Sequence, residues 1–256
     1  MAAITPAHDL FDLTGEVAFV TGASSGLGAR FAEVLVAHGA KVALAARRIE
    51  RIEKAAADMK NAVAIELDVT KTGNFDAAFA KAEAALGPVS LLVNNAGVAG
   101  SDDYLQQTEA DWRFVQDTNV DAVWHLSQFF AKRLVARQQP GTIINISSAA
   151  GYLVSETSAA YAISKAAVVQ MTRALGFELA RHGIRVNGIA PGYIHSEMTD
   201  DYLASDAGKA MLKRMPQRRA GDPSDLDGAL LLLASRRASG FMTGSTIIAD
   251  GGACLK

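Results

Sequence analysis

Seven short apolar runs alternate along this chain with stretches that have the periodicity of amphipathic helices. The runs lie at residues 16–20, 41–45, 62–67, 90–94, 142–146, 184–189 and 245–249. Most consecutive positions in each run are apolar, which is typical of parallel strands covered on both faces. Helices that connect such strands pack on both sides of the sheet. The pattern therefore predicts one α/β domain over residues 1–256, with a doubly wound parallel sheet of about seven strands flanked by helices.

The composition supports a folded domain with a substantial core. The chain has 256 residues, of which 50% are hydrophobic and 20% charged, and its formal net charge is −2. These values exclude an intrinsically disordered chain and do not favour a nucleic-acid partner, because such binders are normally basic. The one cysteine, Cys254, excludes an intrachain disulfide. Since no apolar stretch is long enough to cross a bilayer and no secretory signal is evident, we expect a cytoplasmic protein without a membrane partner.

Two long helices and two capping signals are predicted between the strands. Thr108, with Asp111 three residues later, is typical of a helix N-cap, and we expect that helix to run to about residue 138. A second long helix is predicted over residues 158–182. Asp222 followed by Pro223 predicts another helix start, because Asp is a good cap and Pro fits the first helical position. Residues 1–12 are expected to form a short N-terminal extension.

A glycine-rich segment, TGASSGLG at residues 21–28, lies between the first predicted strand and the first predicted helix. There Gly22 would allow a tight turn, Gly26 would let the backbone approach a pyrophosphate, and Gly28 would permit close packing of helix on strand. The spacing differs from the usual G-x-G-x-x-G, and glycine clusters also occur in plain structural turns. The location between strand and helix favours a dinucleotide-binding site of the Rossmann type.

The residues that end the second predicted strand bear on which dinucleotide binds. NAD sites usually place Asp or Glu there to accept a hydrogen bond from the ribose 2′-hydroxyl. This chain has Arg47 and Arg48 instead, and its next carboxylate is Glu50. Because guanidinium groups match a phosphate, the pair favours NADP(H), with NAD(H) as the alternative. Both arginines would also fit a plain structural role as solvated charges at a helix start.

Tyr161 and Lys165 are four residues apart on the second long helix, so both side chains point to one face. A protonated lysine near a phenol lowers the pKa of the tyrosine, which produces a general acid/base near neutral pH. Ser148 follows the fifth predicted strand, and its hydroxyl could share a substrate oxygen with Tyr161. The alternatives are a surface helical pair and a capping serine, and Ser147 is the nearest competitor for the substrate contact.

In combination these segments resemble the short-chain dehydrogenase/reductase family. The resemblance extends from about residue 13 to residue 252. It rests on five motifs, which are each common alone but in this order are specific for the family. They are TGASSGLG at 21–28, NNAG at 94–97, Asn119, Ser148 with Tyr161-x-x-x-Lys165, and Pro191-Gly192. The resemblance implies an NADP(H)-dependent oxidoreductase that interconverts a ketone or aldehyde and a secondary alcohol by hydride transfer.

The resemblance also implies a role for each matching residue. Tyr161 is expected to be the general acid/base, Ser148 to orient the substrate oxygen, and Lys165 to bind the nicotinamide ribose. Asn119 is expected to hold a water molecule in a proton relay. The expected cofactor-binding residues are Gly22, Ser24, Ser25, Gly26, Leu27, Gly28, Arg47, Arg48, Asp68, Val69, Asn95, Ala96, Gly97, Tyr161, Lys165, Pro191, Gly192, Ile194 and Ser196.

Three of the matching positions have a second interpretation or depart from the family pattern. Asp68, together with Val69, is expected to contact the adenine, and the alternative is a turn carboxylate. Ser196 stands where the family often has threonine, and it keeps the hydroxyl. Asn94 is interpreted as structural.

The segment over residues 193–219 resembles the substrate loop of the family. Its apolar residues suggest an apolar-walled pocket, although packing against the sheet would need the same side chains. These are Tyr193, Ile194, Met198, Tyr202, Leu203, Met211, Leu212 and Met215. A basic run in this segment could meet an acyl-carrier protein or coenzyme A, which makes a 3-oxoacyl thioester reductase an alternative. The run consists of Lys209, Lys213, Arg214, Arg218 and Arg219.

Other interpretations remain open at this point. One is an NAD-dependent alcohol dehydrogenase of the same family. A remote alternative is a non-catalytic dinucleotide-binding protein, because a fold does not fix a function. The scattered histidines and the single cysteine give no support for a metal site. The resemblance implies a homotetramer or a homodimer.

Overall fold

The computed structural model describes residues 4–100, 103–154 and 158–255. Its strands form one parallel sheet, which confirms the predicted fold class. The strands are β1 (Val17–Thr21), β2 (Lys41–Ala46), β3 (Ala62–Glu66), β4 (Leu91–Asn94), β5 (Gly141–Ile146), β6 (Ile184–Pro191) and β7 (Thr246–Ala249). Their order in the sheet is β3-β2-β1-β4-β5-β6-β7.

The strand order places a topological switch point between β1 and β4. The chain moves outward from β1 to β3 and then returns to the other side of β1 with β4. Val20 of β1 is paired with Leu44 of β2 on one side and with Val93 of β4 on the other. Connections that leave β1 and β4 diverge at the carboxyl ends, and open α/β sheets bind ligands in the crevice that results.

Helices cover both faces of this sheet. Within the described residues the α-helices are α1 (Ala7–Leu10), α2 (Gly26–Ala37), α3 (Ile49–Ala57), α4 (Phe75–Leu86), α5 (Glu109–Gln116), α6 (Ala122–Ala136), α7 (Ala159–Leu179), α8 (Asp200–Ala204), α9 (Asp206–Arg214), α10 (Asp227–Ala234) and α11 (Arg236–Ser239). Short 3-10 turns connect several of them.

Two hydrophobic cores hold the helices on the sheet, one on each face. On the first face α2, α3 and α10 contribute buried side chains such as Leu35 and Leu230. On the second face α4 and α6 contribute Phe79 and Phe130. Phe19 of β1 stacks on Phe79, with ring centroids 4.3 Å apart. Burial of each such side chain stabilises the fold by roughly 2 kcal/mol, which keeps the sheet rigid beneath the crevice.

The helix predicted from Thr108 to about residue 138 is interrupted. α5 ends at Gln116, a π-helical turn spans Asp117–Asp121, and α6 follows. Such turns contain one residue more than an α-helical turn and often lie at functional sites. The interruption places Asn119 inside the protein, where it is fully buried.

Both capping predictions are confirmed. The helix that starts after Asp222 is a 3-10 helix, whereas that after Thr108 is an α-helix. The backbone N–H of Asp111 donates to Oγ1 of Thr108 at 3.3 Å, and that of Thr108 donates to Oδ2 of Asp111 at 2.8 Å. Asp222 precedes a 3-10 turn, Pro223–Leu226, and α10 begins only after it. Among the described residues, no helix has the length and apolar character needed to cross a bilayer.

Candidate active site

A cavity of about 590 Å³ opens at the carboxyl ends of the strands, over the switch point. Loops that follow six of the strands contribute to its wall. The sequence-predicted residues that line it are Gly22, Ser24, Ser25, Gly26, Leu27, Arg47, Arg48, Asp68, Val69, Asn95, Ala96, Gly97, Ser148, Tyr161, Lys165, Pro191, Gly192, Ile194 and Ser196. Gly28 and Asn119 lie directly behind the wall, in contact with residues that line it.

The glycine-rich turn between β1 and α2 lines one end of the cavity. Gly22 has a φ of +66°, and a Cβ atom there would lie 2.8 Å from the Cα atom of Ala96. A Cβ atom at Gly28 would collide with the carbonyl oxygen of Gly22 and lie 2.5 Å from the side-chain nitrogen of Asn95. Because α2 begins at Gly26, the positive end of its dipole faces the cavity. The turn therefore fits a pyrophosphate group, which needs backbone amides and no intervening side chain.

Thr21 joins the end of β1 to the loop that follows β4. Its Oγ1 donates to the carbonyl oxygen of Val93 at 3.2 Å and accepts from the backbone nitrogens of Asn95 and Ala96, each at 3.0 Å. The side-chain nitrogen of Asn95 donates to the carbonyl oxygen of Thr21 at 2.9 Å. Asn95 thus fixes the glycine-rich turn in addition to lining the cavity. Asn94, which precedes it, is buried.

The guanidinium group of Arg48 lies on the hydroxyls of the glycine-rich turn. Its Nη2 donates to Oγ of Ser24 at 2.9 Å and to Oγ of Ser25 at 2.7 Å. On its other side Nη1 donates to Oε2 of Glu197 at 3.1 Å, while Arg51 donates to Oε1 of Glu197 at 2.6 Å. The sequence does not single out Glu197 or Arg51, because nothing in the chain order relates residue 197 to the turn after β2.

Asp68 follows β3 and has a defined local role. Its Oδ1 accepts hydrogen bonds from the backbone nitrogen of Thr70 at 3.0 Å and from the hydroxyl of Thr70 at 2.8 Å. Burial raises the pKa of Asp68, but these hydrogen bonds and the charge of Arg47 outweigh burial and lower the pKa below its ordinary value. Asp68 also lines the cavity, so the geometry accommodates both the turn role and the adenine contact.

Ser148 lies beyond the end of β5, near enough to Tyr161 of α7 for its hydroxyl to lower the pKa of that phenol. The backbone N–H of Ala150 donates to Oγ of Ser148 at 3.1 Å, which fixes the serine at the start of a 3-10 turn. Burial raises the pKa of Tyr161 above its ordinary value, the hydroxyl of Ser148 opposes this effect, and Tyr193 adds to it. The direction is opposite to the sequence argument, which considers the charge of Lys165 without the loss of hydration.

Lys165 lies one helical turn after Tyr161 and is almost completely buried. Its Nζ donates to the carbonyl oxygen of Ile146 at 3.1 Å and lies 5.6 Å from the centroid of the Tyr161 ring. Burial lowers the pKa of Lys165 from 10.5 to about 8. The ammonium form is therefore the major one at pH 7. Since an ammonium group has three N–H donors, it can also bind hydroxyl groups within the cavity that it lines.

The π-helical turn holds Asn119 between the loop after β4 and α7. Its Oδ1 accepts from the backbone nitrogen of Val98, and its Nδ2 donates to the carbonyl oxygen of Val98, both at 2.9 Å. Nδ2 also donates to Oγ of Ser164 at 3.0 Å. A Cβ atom at Gly97 would lie 3.3 Å from both Oδ1 of Asn119 and Nζ of Lys165, so the three residues meet at one point. Asn119 fixes the cavity wall here, and its role in a proton relay stays a prediction.

A second cavity of about 470 Å³ adjoins the first and shares Gly192 and Ile194 with it. The residues that line it include Tyr193, Gln217 and Arg219. Together the two cavities provide space near Tyr193 with both aromatic and hydrogen-bonding groups.

The segment over residues 193–219 divides its apolar side chains between the cavities and the core. Met198 lines the first cavity, whereas Leu203 is buried, and Met215 is buried against the second cavity. Tyr202 stacks on Tyr193 with ring centroids 5.7 Å apart. The apolar-walled pocket expected from this segment therefore involves only some of its residues.

The C-terminal turn closes one side of the second cavity and contains Cys254. The backbone nitrogen of Cys254 donates to Oδ2 of Asp250 at 2.7 Å, and its thiol donates to the carbonyl oxygen of Ala149 at 3.8 Å. Burial, followed by the contact with Asp250, raises the pKa of the thiol to about 12, so it is a poor nucleophile. Within residues 4–100, 103–154 and 158–255, no group of three or more His, Cys, Asp or Glu side chains is arranged to hold a metal ion.

The chain is similar over most of its length to proteins of known activity. A family model described as enoyl-(acyl carrier protein) reductase matches residues 22–254. The chain is 40% identical over 248 residues to galactitol 2-dehydrogenase (L-tagatose-forming) of Cereibacter sphaeroides, covering 95% of this chain and 96% of that protein. It is 39% identical over 250 residues to 5-keto-D-gluconate 5-reductase of Escherichia coli K12, covering 96% of this chain and 98% of that protein.

The fold is likewise similar to that of solved structures. A gluconate 5-dehydrogenase from Burkholderia cenocepacia J2315, in complex with NADP and tartrate, superposes with a TM-score of 0.92. Its sequence is 34% identical, and the match covers 98% of this chain and 100% of that chain. The similarity therefore includes every segment that lines the cavity.

Proposed function

Because the chain belongs to the short-chain dehydrogenase/reductase family, we propose that its residues form one domain in which Ser148, Tyr161 and Lys165 carry out the reaction. The protein is an oxidoreductase that interconverts a carbonyl group and an alcohol with a nicotinamide cofactor, and NADP(H) is favoured. One observation carries the assignment of residues: these three side chains line the same cavity as the glycine-rich turn. A cofactor held by that turn and a substrate beside Tyr161 would share one space.

Tyr161 exchanges a proton with the substrate oxygen in this proposal. In the reducing direction its hydroxyl donates to the carbonyl oxygen, where negative charge develops, and in the oxidising direction its phenolate accepts the proton. Ser148 orients the same oxygen through a second hydrogen bond. Burial keeps Tyr161 protonated near neutral pH, which suits the donor role. A nicotinamide cofactor, when bound, supplies or accepts the hydride.

Lys165 supports Tyr161 in two ways. Its ammonium group stabilises the phenolate that remains when Tyr161 has given up its proton. The same group would donate hydrogen bonds to the ribose hydroxyls of a bound cofactor. The carbonyl oxygen of Ile146, 3.1 Å from Nζ, holds the ammonium in the cavity wall for both tasks.

Arg48, Ser24 and Ser25 are proposed to bind the 2′-phosphate of NADP(H). The last residue of β2 is Ala46, so the position of the acidic residue in NAD sites carries no charge. The guanidinium group lies within 3.1 Å of both hydroxyls, and such a set suits the several oxygens of a phosphate. Arg47 lines the cavity beside them and adds positive charge.

The substrate is proposed to be a sugar acid or a polyol. The relatives named above act on galactitol, 5-keto-D-gluconate and gluconate. A polyhydroxylated substrate needs hydrogen-bonding partners beyond the reacting oxygen. Gln217 in the adjoining cavity provides such a group close to Tyr193. Arg219 lines the same cavity but is paired with Asp225 at 2.6 and 3.0 Å, so it would reach a substrate only with its remaining N–H donors.

The assay that tests this function follows NADPH oxidation by the purified protein with 5-keto-D-gluconate, and NADP⁺ reduction with gluconate and galactitol. We expect turnover of at least one of these compounds, with a loss of about 10²-fold or more in kcat for Tyr161→Phe. Acetoacetyl-CoA serves as the thioester substrate in a parallel reaction. Turnover of acetoacetyl-CoA alone would contradict the sugar-acid proposal and support the thioester alternative. Binding of neither NADPH nor NADH would contradict the catalytic assignment as a whole.

We further propose that the protein is a cytoplasmic homotetramer or homodimer. Phe177 on α7 is 86% exposed, and Phe241 before β7 is fully exposed. Exposed apolar side chains mark interaction surfaces when they form a contiguous patch, and α7 meets the segment after Phe241 where Gly176 lies against Gly244. Light scattering on the purified protein should give two or four times the mass of one chain, and Phe177→Ser or Phe241→Ser should lower it. A wild-type protein with the mass of one chain would contradict the proposal.

A further inference from the structure

We propose that the carboxylate of Glu197 and the 2′-phosphate of NADP(H) compete for Arg48, so that Glu197 reduces the preference for NADP(H) over NAD(H). The inference rests on the proposed function, because it assumes that Arg48 binds the 2′-phosphate. Glu197 follows β6 and lies 149 residues from Arg48 in the sequence, yet both line one cavity. This makes Glu197 a specificity-determining residue outside the five motifs named above.

The competition follows from shared donors. Arg48 uses one side of its guanidinium for Ser24 and Ser25 and the other for Glu197, with an Nη1 to Oε2 distance of 3.1 Å. Hydrogen bonds from Arg51 and then from Arg48 lower the pKa of Glu197 below its ordinary value. The carboxylate is therefore ionised at neutral pH, and it takes up a donor of Arg48, which is one of the groups proposed for the phosphate.

A phosphate and a carboxylate at this place repel each other. A 2′-phosphate carries a charge of about −1.5 to −2 and three acceptor oxygens, whereas the carboxylate carries one charge and two oxygens. The guanidinium group of Arg48 can form its strongest, two-point hydrogen bonding with only one of these two anions at a time. Binding of NADP(H) must therefore weaken the contact between Arg48 and Glu197, while binding of NAD(H) leaves that contact in place.

The exposure of the group shows that Glu197 can be displaced. The side chains of Arg48, Arg51 and Glu197 are 46%, 50% and 57% exposed. Ion pairs this accessible to water contribute about a fivefold factor at most to an equilibrium constant. Glu197 therefore reduces affinity for the phosphate and does not block the site.

The backbone around Glu197 keeps a displaced carboxylate near the phosphate. The N–H of Thr199 and that of Asp200 both donate to the carbonyl oxygen of Ser196 at 3.0 Å, which closes a tight turn around Glu197. Oγ of Ser196 lies 3.0 Å from Oγ1 of Thr199. The turn limits how far the backbone of Glu197 can move. The repulsion between its carboxylate and the 2′-phosphate therefore persists after Arg48 has turned to the phosphate. Arg51 then remains as the ion-pair partner of Glu197.

The test compares ligands that differ in the 2′-phosphate alone. Dissociation constants for NADPH, NADH, adenosine 2′,5′-bisphosphate and 5′-AMP are measured by calorimetry with the wild type, Glu197→Gln and Glu197→Ala. We expect both variants to bind NADPH and the bisphosphate about threefold more tightly or better, with NADH and 5′-AMP unchanged. Asp201→Asn is the matched control, because it removes one exposed carboxylate four residues along the same segment. It should leave all four constants unchanged.

Three results would overturn the inference. One is an equal gain for NADPH and NADH in the Glu197 variants, and another is the same gain in Asp201→Asn, since either would indicate a general charge effect. The third is weaker NADPH binding after the loss of Glu197. If the wild type itself does not distinguish the bisphosphate from 5′-AMP, the assignment of Arg48 to the 2′-phosphate fails first, and that failure is visible without any variant.

Discussion

The ammonium nitrogen of Lys165 lies 5.6 Å from the centroid of the Tyr161 ring, and both side chains line the same cavity. Burial moves their pKa values in opposite directions, upward for Tyr161 and downward to about 8 for Lys165. In each case the loss of hydration disfavours the charged form of the group. The pair therefore stays in the proton-donating state suited to reduction, and the buried cation costs the fold some stability.

The first prediction concerns that cost. Lys165→Met should abolish measurable turnover and raise the free energy of unfolding at pH 7 by about 1–3 kcal/mol, because it removes a buried charge with one hydrogen bond to Ile146. Thermal unfolding of both proteins measures the difference. Lys213→Met, at an exposed position on α9, should change neither stability nor activity. A Lys165→Met protein that is less stable than the wild type would contradict the argument.

The pH dependence of the free energy of unfolding shows whether the buried Lys165 stabilises or destabilises the fold. The folded-state pKa of about 8 lies below the ordinary value of 10.5, so the unfolded chain binds more protons between these values. The contribution of Lys165 to stability should therefore rise with pH across this window and stay at its unfavourable limit below pH 8. Chemical unfolding from pH 7 to 10 should show the rise in the wild type, and Lys165→Met should lack it.

The second prediction concerns the proton carried by Tyr161. Tyr161→Phe should lower kcat about 10²- to 10⁴-fold and leave the NADPH dissociation constant within about twofold, because its hydroxyl is proposed to act on the substrate oxygen. Ultraviolet titration of the wild type should contain one phenol that ionises above the usual range, and Tyr161→Phe should lack it. Tyr104→Phe, at an exposed tyrosine, is the control and should keep full activity. A phenol that ionises below pH 9 in the protein alone and disappears with Tyr161 would contradict the burial argument.

The third prediction uses two glycines that differ in what surrounds them. Gly28→Ala should weaken NADPH binding at least about tenfold and lower the melting temperature, because its Cβ would collide with the carbonyl oxygen of Gly22. Gly228→Ala on α10 places a Cβ in open space and should stabilise the protein by up to about 1 kcal/mol. Calorimetry with NADPH and thermal unfolding separate the two outcomes. Equal effects of the two substitutions would argue against the close approach of α2 to β1.

The fourth prediction concerns an ion-pair cluster far from the cavity. Glu83 of α4 accepts hydrogen bonds from Arg133 and Arg137 of α6, each at 2.6 Å. Burial opposes ionisation of Glu83, but these hydrogen bonds outweigh burial and lower its pKa from 4.5 to about 2. Glu83→Gln should therefore lower the free energy of unfolding at pH 7 by about 2 kcal/mol.

The sign of the pH effect follows from the lowered pKa of Glu83. Its contribution is fully present above pH 4.5 and is lost as the pH falls toward 2. Unfolding curves between pH 7 and pH 3 should therefore converge for the wild type and Glu83→Gln. Asp76→Asn removes a carboxylate that also pairs with Arg133 but is 79% exposed, and it should cost about 0.5 kcal/mol or less. A constant difference between the wild type and Glu83→Gln at all pH values would contradict the assignment.

Features that depend on neighbouring residues in the chain could be predicted from the sequence. The parallel sheet follows from the apolar runs, the cap at Thr108 from its spacing to Asp111, and the tight turn between β1 and α2 from its glycines. The cap and the turn depend on local sterics and local hydrogen bonds, which a short segment determines largely by itself. The sheet pairs distant strands, but apolar runs that alternate with helices are characteristic of a parallel sheet covered on both faces.

Features that depend on distant contacts or on burial could not be predicted. The partnership of Glu197 with Arg48 and Arg51 requires knowing that the loop after β6 folds over the loop after β2. The pKa direction of Tyr161 depends on how much water its neighbours exclude, and spacing along a helix does not report that. The division of residues 193–219 between cavity and core likewise depends on where α8 and α9 pack.

Because of the π-helical turn at Asp117–Asp121, the number of residues between α5 and α6 determines how the cavity wall is built. Each residue in an α-helix turns the following side chains by about 100°. Deletion of one residue from the turn would allow a continuous helix from α5 to α6, which is locally the more regular structure. The same deletion would rotate the side chains of one half relative to the other and withdraw Asn119 from Val98 and Ser164. A deletion that makes the helix more regular would thus remove the hydrogen bonds that hold the cavity wall. Active homologues should therefore keep the extra residue of the π-helical turn, whatever its identity.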